Sequence, residues 1–399
     1  MPVSLEEYRE VAPKGTVEFL QRLAARLQGR RFLHVNSTRY GGGVAEILTR
    51  LVPIMTDLGI EAGWEVIEGN PEFLAVTKAL LRALQGREQV ITESMLRAYI
   101  ACNNENAKKL PLEGDLVMIH DPQPAAIIEH RLPNGKWAWR CHLDISQARR
   151  TTWNFLRRFV TKYDAAVFSL PKFAQRLPIQ SFVVYPSIDP LSDKNREMER
   201  AEVNGVLDRL EIPRDKPILL QVSGFDPSKD PLGVINAYRL VKKHSDCRLI
   251  LAGSASAGEP EGGGVLAEVR DAAARDPEIH VLELPPEAHT EINALQRAAT
   301  IVLQKSTREE FGLTVAEAMW KGKPVIGSAA GGITVQIIPE VTGYVVHSVE
   351  GAAFRIRHLL RNRGIIGRLG VAGREHVRRN FLITRHLADY LTLLDSLTR

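Results

Sequence analysis

At 399 residues the chain exceeds what one hydrophobic core ordinarily supports, so two domains are expected. An apolar fraction of 44% with 25% charged residues excludes disordered and fibrous classes. The net charge of +5 comes from 52 basic and 47 acidic residues without a basic block, which gives no argument for nucleic acid and favours anionic small molecules only weakly.

In the first half, apolar runs over 31–36, 115–120, 137–142, 165–170 and 182–185 alternate with helical patterns, as in a parallel sheet covered by helices on both faces. The first run leads through Gly41, Gly42 and Gly43 into a helix start ending at Glu46. Such glycines let backbone approach a ligand without a Cβ clash, and a helix N-terminus favours negative charge. The loop lacks both the P-loop lysine and the Gly-x-Gly-x-x-Gly spacing.

The second run ends in His120-Asp121-Pro122-Gln123-Pro124. Both leading side chains can bond sugar hydroxyls, Asp121 as acceptor and His120 as either partner, with a turn cap as the alternative for Asp121. The third run puts Arg140, His142 and Asp144 at alternate positions, a spacing that places them on one face, converging on one ligand or on a structural ion-pair cluster.

Residues 186–216 are rich in Pro and charge and suit an inter-domain connection, with a boundary near Ser187. Beyond it, strand patterns fall at 218–222, 248–251, 280–284, 301–304, 324–327 and 344–347. Lys229 follows the first of these, placed to hold a diphosphate as a point charge. The glycine cluster over 258–264 reads as a mobile loop without chemistry.

The densest motif spans 306–326. It sets Glu309 and Glu317 on either side of a Phe311-Gly312-Leu313 turn that opens a helix. Unpaired amides at a helix start suit phosphate, and flanking carboxylates accept sugar hydroxyls, so the motif suggests a nucleotide-sugar site. Thr314 and Glu317 are also spaced as a capping box. Helical patterns over 349–381 and 384–397 close the chain, and no internal repeat is visible. Since ligands of open parallel sheets sit at the carboxyl ends of the strands, a cleft shared by two such sheets is the expected site.

Cys102, Cys141 and Cys247 lack metal-ligand spacing, and reduced thiols in a cytoplasmic protein are the simplest account. No signal-peptide core, membrane-length apolar run, zinc cluster, nucleophile elbow or DNA-reading motif is present in the sequence.

Asn36-Ser37-Thr38 with Gly41 to Glu46, His120 to Pro124, Trp139 to His142, Pro186 to Pro190, Lys229 to Gly233 and Glu309 to Pro324 together resemble the retaining glycosyltransferases of family 4, over nearly the full chain. Within that family the resemblance is to its trehalose-forming branch. It implies an α/β protein of the GT-B fold, two Rossmann-like doubly wound parallel-sheet domains on a central cleft. The acceptor-side domain would cover 1–187, joined by the C-terminal helix 381–399, and the nucleotide-sugar domain 188–380. The implied activity is reversible glucose transfer from a nucleoside diphosphate glucose, such as UDP-glucose or ADP-glucose, to glucose. The implied assembly is a homodimer with no permanent cofactor or metal and with room for a divalent cation as a stimulant. A phosphorylase that replaces the nucleotide by inorganic phosphate, and a catalytically impaired sugar or nucleotide binder, remain as alternatives.

By the same resemblance, Glu309 holds hydroxyls of the donor sugar and Glu317 the ribose. Phe311, Gly312 and Leu313 present amides near sugar and phosphate, and Lys229 sits on the diphosphate with the Gly42-Gly43 loop facing it. His120, Asp121 and His142 line the acceptor side, with Arg140 and Asp144 beside them. Retention in the family is explained without a protein nucleophile, so catalysis rests on positioning and charge stabilisation. One departure stands out: Gly224 occupies a position where the family usually has Arg, five residues before Lys229. Glu310, where close relatives often have Gly, adds a negative charge.

Overall fold

The computed structural model describes residues 3–40, 42–255 and 260–399. Strands β1 (Arg31–Asn36), β2 (Glu61–Val66), β3 (Leu116–His120), β4 (Lys136–Cys141), β5 (Ala165–Phe168) and β6 (Gln180–Val183) form a parallel sheet in the order β2-β1-β3-β4-β5-β6. Strands β3 and β5 are buried throughout and β1 and β4 at every residue but the first, so they read as continuous apolar runs. Strand β2 is the exception. Its Glu-Ala-Gly-Trp-Glu-Val sequence lies at the sheet edge, nowhere fully buried, and carries no apolar run that would announce it.

Helices α1 (Thr16–Ala24), α2 (Gly43–Asp57), α3 (Pro71–Leu84), α4 (Glu93–Lys109) and α5 (Arg150–Val160) accompany this sheet. Val35, Val117, Ile119, Trp137, Trp139 and Phe168 join Phe73, Leu80, Tyr99 and Phe159 in one core cluster. Burial of such side chains contributes about 1.5–3 kcal/mol each.

After α6 (Arg200–Arg209) a second parallel sheet is built from β7 (Ile218–Val222), β8 (Arg248–Gly253), β9 (Ile279–Glu283), β10 (Ile301–Gln304), β11 (Val325–Ser328) and β12 (Gly343–Val346). Its order is β12-β11-β10-β7-β8-β9. Helices α7 (Pro231–Lys242), α8 (Pro260–Ala273), α9 (His289–Ala298), α10 (Leu313–Trp320), α11 (Ile333–Gln336), α12 (Val349–Arg361) and α13 (Arg363–Asn380) connect and cover it. Leu219, Leu249, Leu251, Ile301, Leu303 and Ile326 fill its core with Tyr238 and Ile356.

The chain then returns through α14 (Ile383–Thr398), which contacts α1, α2 and β3 of the first sheet. Two compact units result, Met1–Ser187 with Ile383–Arg399, and Ile188–Leu382. Polar contacts anchor the return: Arg385 donates to the Tyr185 carbonyl at 2.6 Å, and Ser187 Oγ meets His386 Nδ1 at 3.0 Å.

Two expectations need correction. The helical pattern over 349–381 is two helices, because Asn362 leaves helical geometry at φ −127° and ψ 69°. Residues 260–264 of the supposed loop open α8 instead, while Gly258 lies outside the described residues.

Each sheet has one place where connections leave to opposite sides, between β1 and β3 in the first and between β7 and β10 in the second. Ligands of open α/β sheets bind outside the carboxyl ends of strands at these reversals.

Candidate functional site

In the second unit, β7 and β10 are neighbours at the reversal and deliver their following loops side by side. Asp226 Oδ1 accepts the Ser228 amide at 2.7 Å and fixes a single turn over Pro227–Lys229, while Gln221 Nε2 donates to the Lys229 carbonyl at 2.9 Å. This turn presents Lys229 Nζ 2.7 Å from Glu309 Oε1. The other carboxylate oxygen accepts Gln304 Nε2 at 3.0 Å and Ser306 Oγ at 2.9 Å. A carboxylate offers about four lone-pair directions. Oε2 is occupied twice and Oε1 once, so Glu309 is fixed in place yet still has an acceptor direction to offer a hydroxyl.

The loop carrying Glu309 is shaped by glycine. Gly312, at φ 75°, is the N-cap of α10 and supplies no side-chain cap, leaving the helix start open to an anion. Thr314 Oγ1 donates to Gln304 Oε1 at 3.1 Å, so the capping box anticipated as an alternative does not form. Behind the loop stand Gly331 and Gly332. A Cβ on Gly331 would lie 1.6 Å from the Glu309 carbonyl oxygen, and one on Gly332 2.5 Å from Phe311 Cα. The Gly332 amide donates to the Glu310 carbonyl at 2.7 Å, and Gln336 Nε2 to that of Phe311 at 2.6 Å. The Phe311 ring turns inward, edge-on to Phe381 at 5.8 Å. Its contribution to a ligand is therefore confined to the backbone, as it is for Gly312. Leu313 begins α10 half-buried.

Glu317 has separate partners. Lys194 Nζ stands 3.7 Å from Oε1 and Gln296 Nε2 donates to Oε2 at 3.4 Å, and the residue is 2% exposed. Lys321 Nζ donates to Asn195 Oδ1, Gln296 Oε1 and the Glu317 carbonyl, and burial pushes its ammonium down to about 7. The sequence thus locates Lys229, Glu309 and Glu317, and the structure brings the first two together. Gln304, Gly331 and Gly332 went unread, and Ser306 only opened the motif without a role, since polar residues and a Gly pair after an apolar run look like ordinary strand ends.

In the first unit, Gly42 caps α2 at φ 80° and Gly43 begins the helix, while Gly41 lies outside the described residues. At the end of β3, Asp121 adopts φ 66°, a left-handed conformation that Asp tolerates better than most residues. Its amide donates to the Arg140 carbonyl at 2.7 Å and its own carbonyl accepts Trp139 Nε1 at 3.0 Å. Its Oδ1 accepts the His142 amide at 2.8 Å. Burial pushes the carboxyl up to about 6, against the lowering effects of that hydrogen bond and of Arg140. His120 is buried between two other imidazoles, with Nε2 3.0 Å from His34 Nδ1 and Nδ1 3.0 Å from His142 Nε2.

The expected convergence of Arg140, His142 and Asp144 is corrected. Strand β4 stops at Cys141, so the alternation of faces ends there. Arg140 is 0% exposed, its Nη2 donating to the Val184 carbonyl at 2.6 Å, with Nε and Nη1 also buried. It offers no surface to a ligand. Asp144 folds back locally, accepting the Ser146 amide at 3.0 Å and hydroxyl at 2.6 Å. Only Asp121 and His142 of this group keep partial exposure at the strand ends along with mutual contact.

Cys102, Cys141 and Cys247 are free thiols. Among the described residues no cluster of His, Cys, Asp or Glu is arranged to hold a metal ion, and no helix is long and apolar enough to cross a membrane.

The family model of the trehalose synthase N-terminal domain matches residues 34–175, and that of group 1 glycosyl transferases residues 207–376. A trehalose synthase of Pyrococcus horikoshii is 46% identical over 399 residues, covering 98% of this chain and 96% of its own. One of Rubrobacter xylanophilus is 39% identical over 405 residues, covering 99% and 97%. In fold, the chain matches the sucrose-phosphate synthase of Thermosynechococcus elongatus with a TM-score of 0.72 at 17% identity, over 92% of this chain and 99% of that one. With both parallel sheets accounted for and the relatives aligned end to end, the chain belongs to the trehalose synthase family of GT-B glycosyltransferases.

Proposed function

We propose that the chain transfers glucose, reversibly and with retention of configuration, from a nucleoside diphosphate glucose to free glucose, forming trehalose. Lys229 holds the diphosphate, Glu309 hydroxyls of the donor sugar, and Glu317 the ribose. The amides around Phe311, Gly312 and Leu313 and the Gly42-Gly43 turn serve sugar and phosphate. His120, Asp121 and His142 belong to the acceptor side, where Asp121 and His142 meet the sugar and His120 acts from behind. The acceptor hydroxyl oxygen attacks C1 as the C1–O bond to the diphosphate breaks, and its proton passes to the departing phosphate oxygen. No protein nucleophile takes part, and the protein supplies position and charge.

The observation that carries this is the 2.7 Å contact of Lys229 with Glu309 at the reversal of the second sheet. A cation beside a carboxylate with a free acceptor direction suits a group that is anionic at one end and hydroxylated at the other. Trehalose synthases at 39–46% identity over nearly full length support the choice of product.

The test is a product analysis over a grid of nucleoside diphosphate glucoses with glucose and other sugars as acceptors, followed by the reverse reaction. Trehalose plus UDP or ADP should return the nucleotide sugar. Release of glucose 1-phosphate from trehalose and inorganic phosphate, without nucleotide dependence, would overturn the proposal in favour of a phosphorylase.

A further inference from the structure

Strands β1, β3 and β4 lie side by side and carry a row of imidazoles, His34, His120 and His142, of which the function above brings only the last into contact with a sugar. His34 Nδ1 is 3.0 Å from His120 Nε2, and His120 Nδ1 is 3.0 Å from His142 Nε2. His34 and His120 are 0% and 1% exposed, while His142 is partly open. Phe32 stacks on His34 at 4.2 Å and Tyr390 of α14 lies 5.7 Å from it, so the innermost ring is packed among aromatic side chains.

Burial pushes His34 down to about 3 and holds His120 and His142 well below the ordinary histidine value, with Arg140 adding to the effect on the latter two. All three rings are therefore neutral near pH 7, each with one N–H. Two hydrogen bonds among three such rings run head to tail in one of two senses. With every proton on Nε2, His142 donates to His120 and His120 to His34, and the His34 Nε2–H is left over. That nitrogen is buried with no partner. With every proton on Nδ1, His34 donates to His120 and His120 to His142, and the group left in the core is a bare lone pair. Orphaned buried N–H groups are rarer in proteins than under-satisfied acceptors, which decides for the second sense.

We infer that His120 is a positioning residue, whose Nδ1–H locks His142 as the Nδ1–H tautomer so that it presents a hydrogen-bond donor, never an acceptor, to a sugar oxygen. His142 Nε2 is engaged by His120 and its amide by Asp121 Oδ1, so Nδ1 is the ring nitrogen that remains for a ligand. The sugar contact rests on the function proposed above, whereas the tautomer rests on the imidazole row alone.

The experiment is long-range ¹⁵N–¹H correlation on the full-length protein labelled at histidine, with the His142 signals assigned by their loss in His142→Gln. The expected result is an Nδ1-protonated His142 near pH 7. His120→Phe removes the donor to Nε2 of the partly open His142, which should then shift toward the Nε2–H form. KM for the acceptor should rise roughly 2- to 10-fold, the worth of one neutral hydrogen bond, with a smaller change in kcat. His120→Asn, whose amide nitrogen stands near the place of Nδ1, should restore tautomer and KM. An Nε2-protonated His142 in the unmodified protein would overturn the inference, and so would an unchanged tautomer in His120→Phe. Should His120→Phe fail to fold, the unmodified protein's spectrum decides alone. If the tautomer is as stated but His142→Ala leaves KM for every sugar unchanged, it is the proposed function that fails at this residue.

Discussion

Lys229 Nζ and Glu309 Oε1 stand 2.7 Å apart although 80 residues separate them in sequence, because β7 and β10 are neighbours at the reversal of the second sheet. Each holds the other where its strand ends. In Lys229→Met Glu309 loses one of its three donors and, on the proposed function, the diphosphate loses its point charge. The kcat/KM for the nucleotide sugar should fall about 100-fold, in line with loss of a charge-assisted contact to the leaving group. Glu309→Gln should reduce it comparably, and the double variant should lose less than the product of the two, as contacting residues do not act independently. Steady-state kinetics on the four proteins gives the answer; strict multiplicativity would separate the two roles.

Gly331 and Gly332 form the back wall of the loop that carries Glu309. Gly331 sits at φ 45° and its Cβ would fall 1.6 Å from a backbone oxygen, so no side chain can bend out of the way. Gly331→Ala must push the 309–312 loop outward. Overpacking of this kind costs about 1–3 kcal/mol. The expected outcome is a lower Tm together with a loss of kcat/KM of at least about 100-fold, since a displacement near 1 Å at a positioning group has that effect. A variant with unchanged kinetics would mean the wall has no part in holding Glu309.

The fold was legible where strands are buried on both faces. Leu116–His120 and Ile218–Val222 announce themselves as uninterrupted apolar runs, while Glu61–Val66 escaped because an edge strand keeps its glutamates and glycine. In the site, Lys229 and Glu309 were readable as charged residues just beyond apolar runs. Gly331 was not, because only its distance to the Glu309 carbonyl distinguishes it from any glycine in a turn. Arg140 and Asp144 were misplaced by extending strand alternation past Cys141, where the strand has already ended. His34 gave no sign, since a histidine within an apolar run declares its partner only once the neighbouring strand is known.

Asp121 makes stability depend on pH in an unusual direction. Its carboxyl is raised from the ordinary 3.8 to about 6 by burial, so the folded protein holds this proton more tightly than the unfolded chain. The stabilising contribution is full below about pH 4 and lost as pH rises through about 6, a difference of up to about 3 kcal/mol for this group. Asp121→Asn keeps an acceptor for the His142 amide and tolerates φ 66°. It should melt higher than the unmodified protein at pH 7–8 and show no such advantage near pH 4. If the carboxylate accepts a hydroxyl of the acceptor sugar, the acidic limb of the kcat/KM profile lies near pH 6 and disappears in the variant. Thermal unfolding and kinetics across pH 4–8 measure both. A constant difference in Tm over that range would refute the ionisation argument.

Gly224 lies between β7 and the turn over Pro227–Lys229, five residues before the lysine. Its amide-side neighbour Ser223 is fixed by the close approach of β8, where a Cβ on Gly253 would come within 1.8 Å of the Ser223 carbonyl oxygen. The Gly224 carbonyl accepts the Asp226 amide at 2.9 Å, and the Phe225 amide donates to the Ser254 carbonyl at 3.0 Å. Gly224→Arg therefore adds a guanidinium to a loop whose path is already set. A charge-assisted, bidentate contact to phosphate is worth about 1.5–3 kcal/mol, or roughly 10- to 100-fold. The expected result is tighter calorimetric binding of the nucleoside diphosphate and a lower KM or higher turnover with the nucleotide sugar, at unchanged Tm. Equal affinity and equal turnover in the variant would show that Lys229 holds the diphosphate without help from this position.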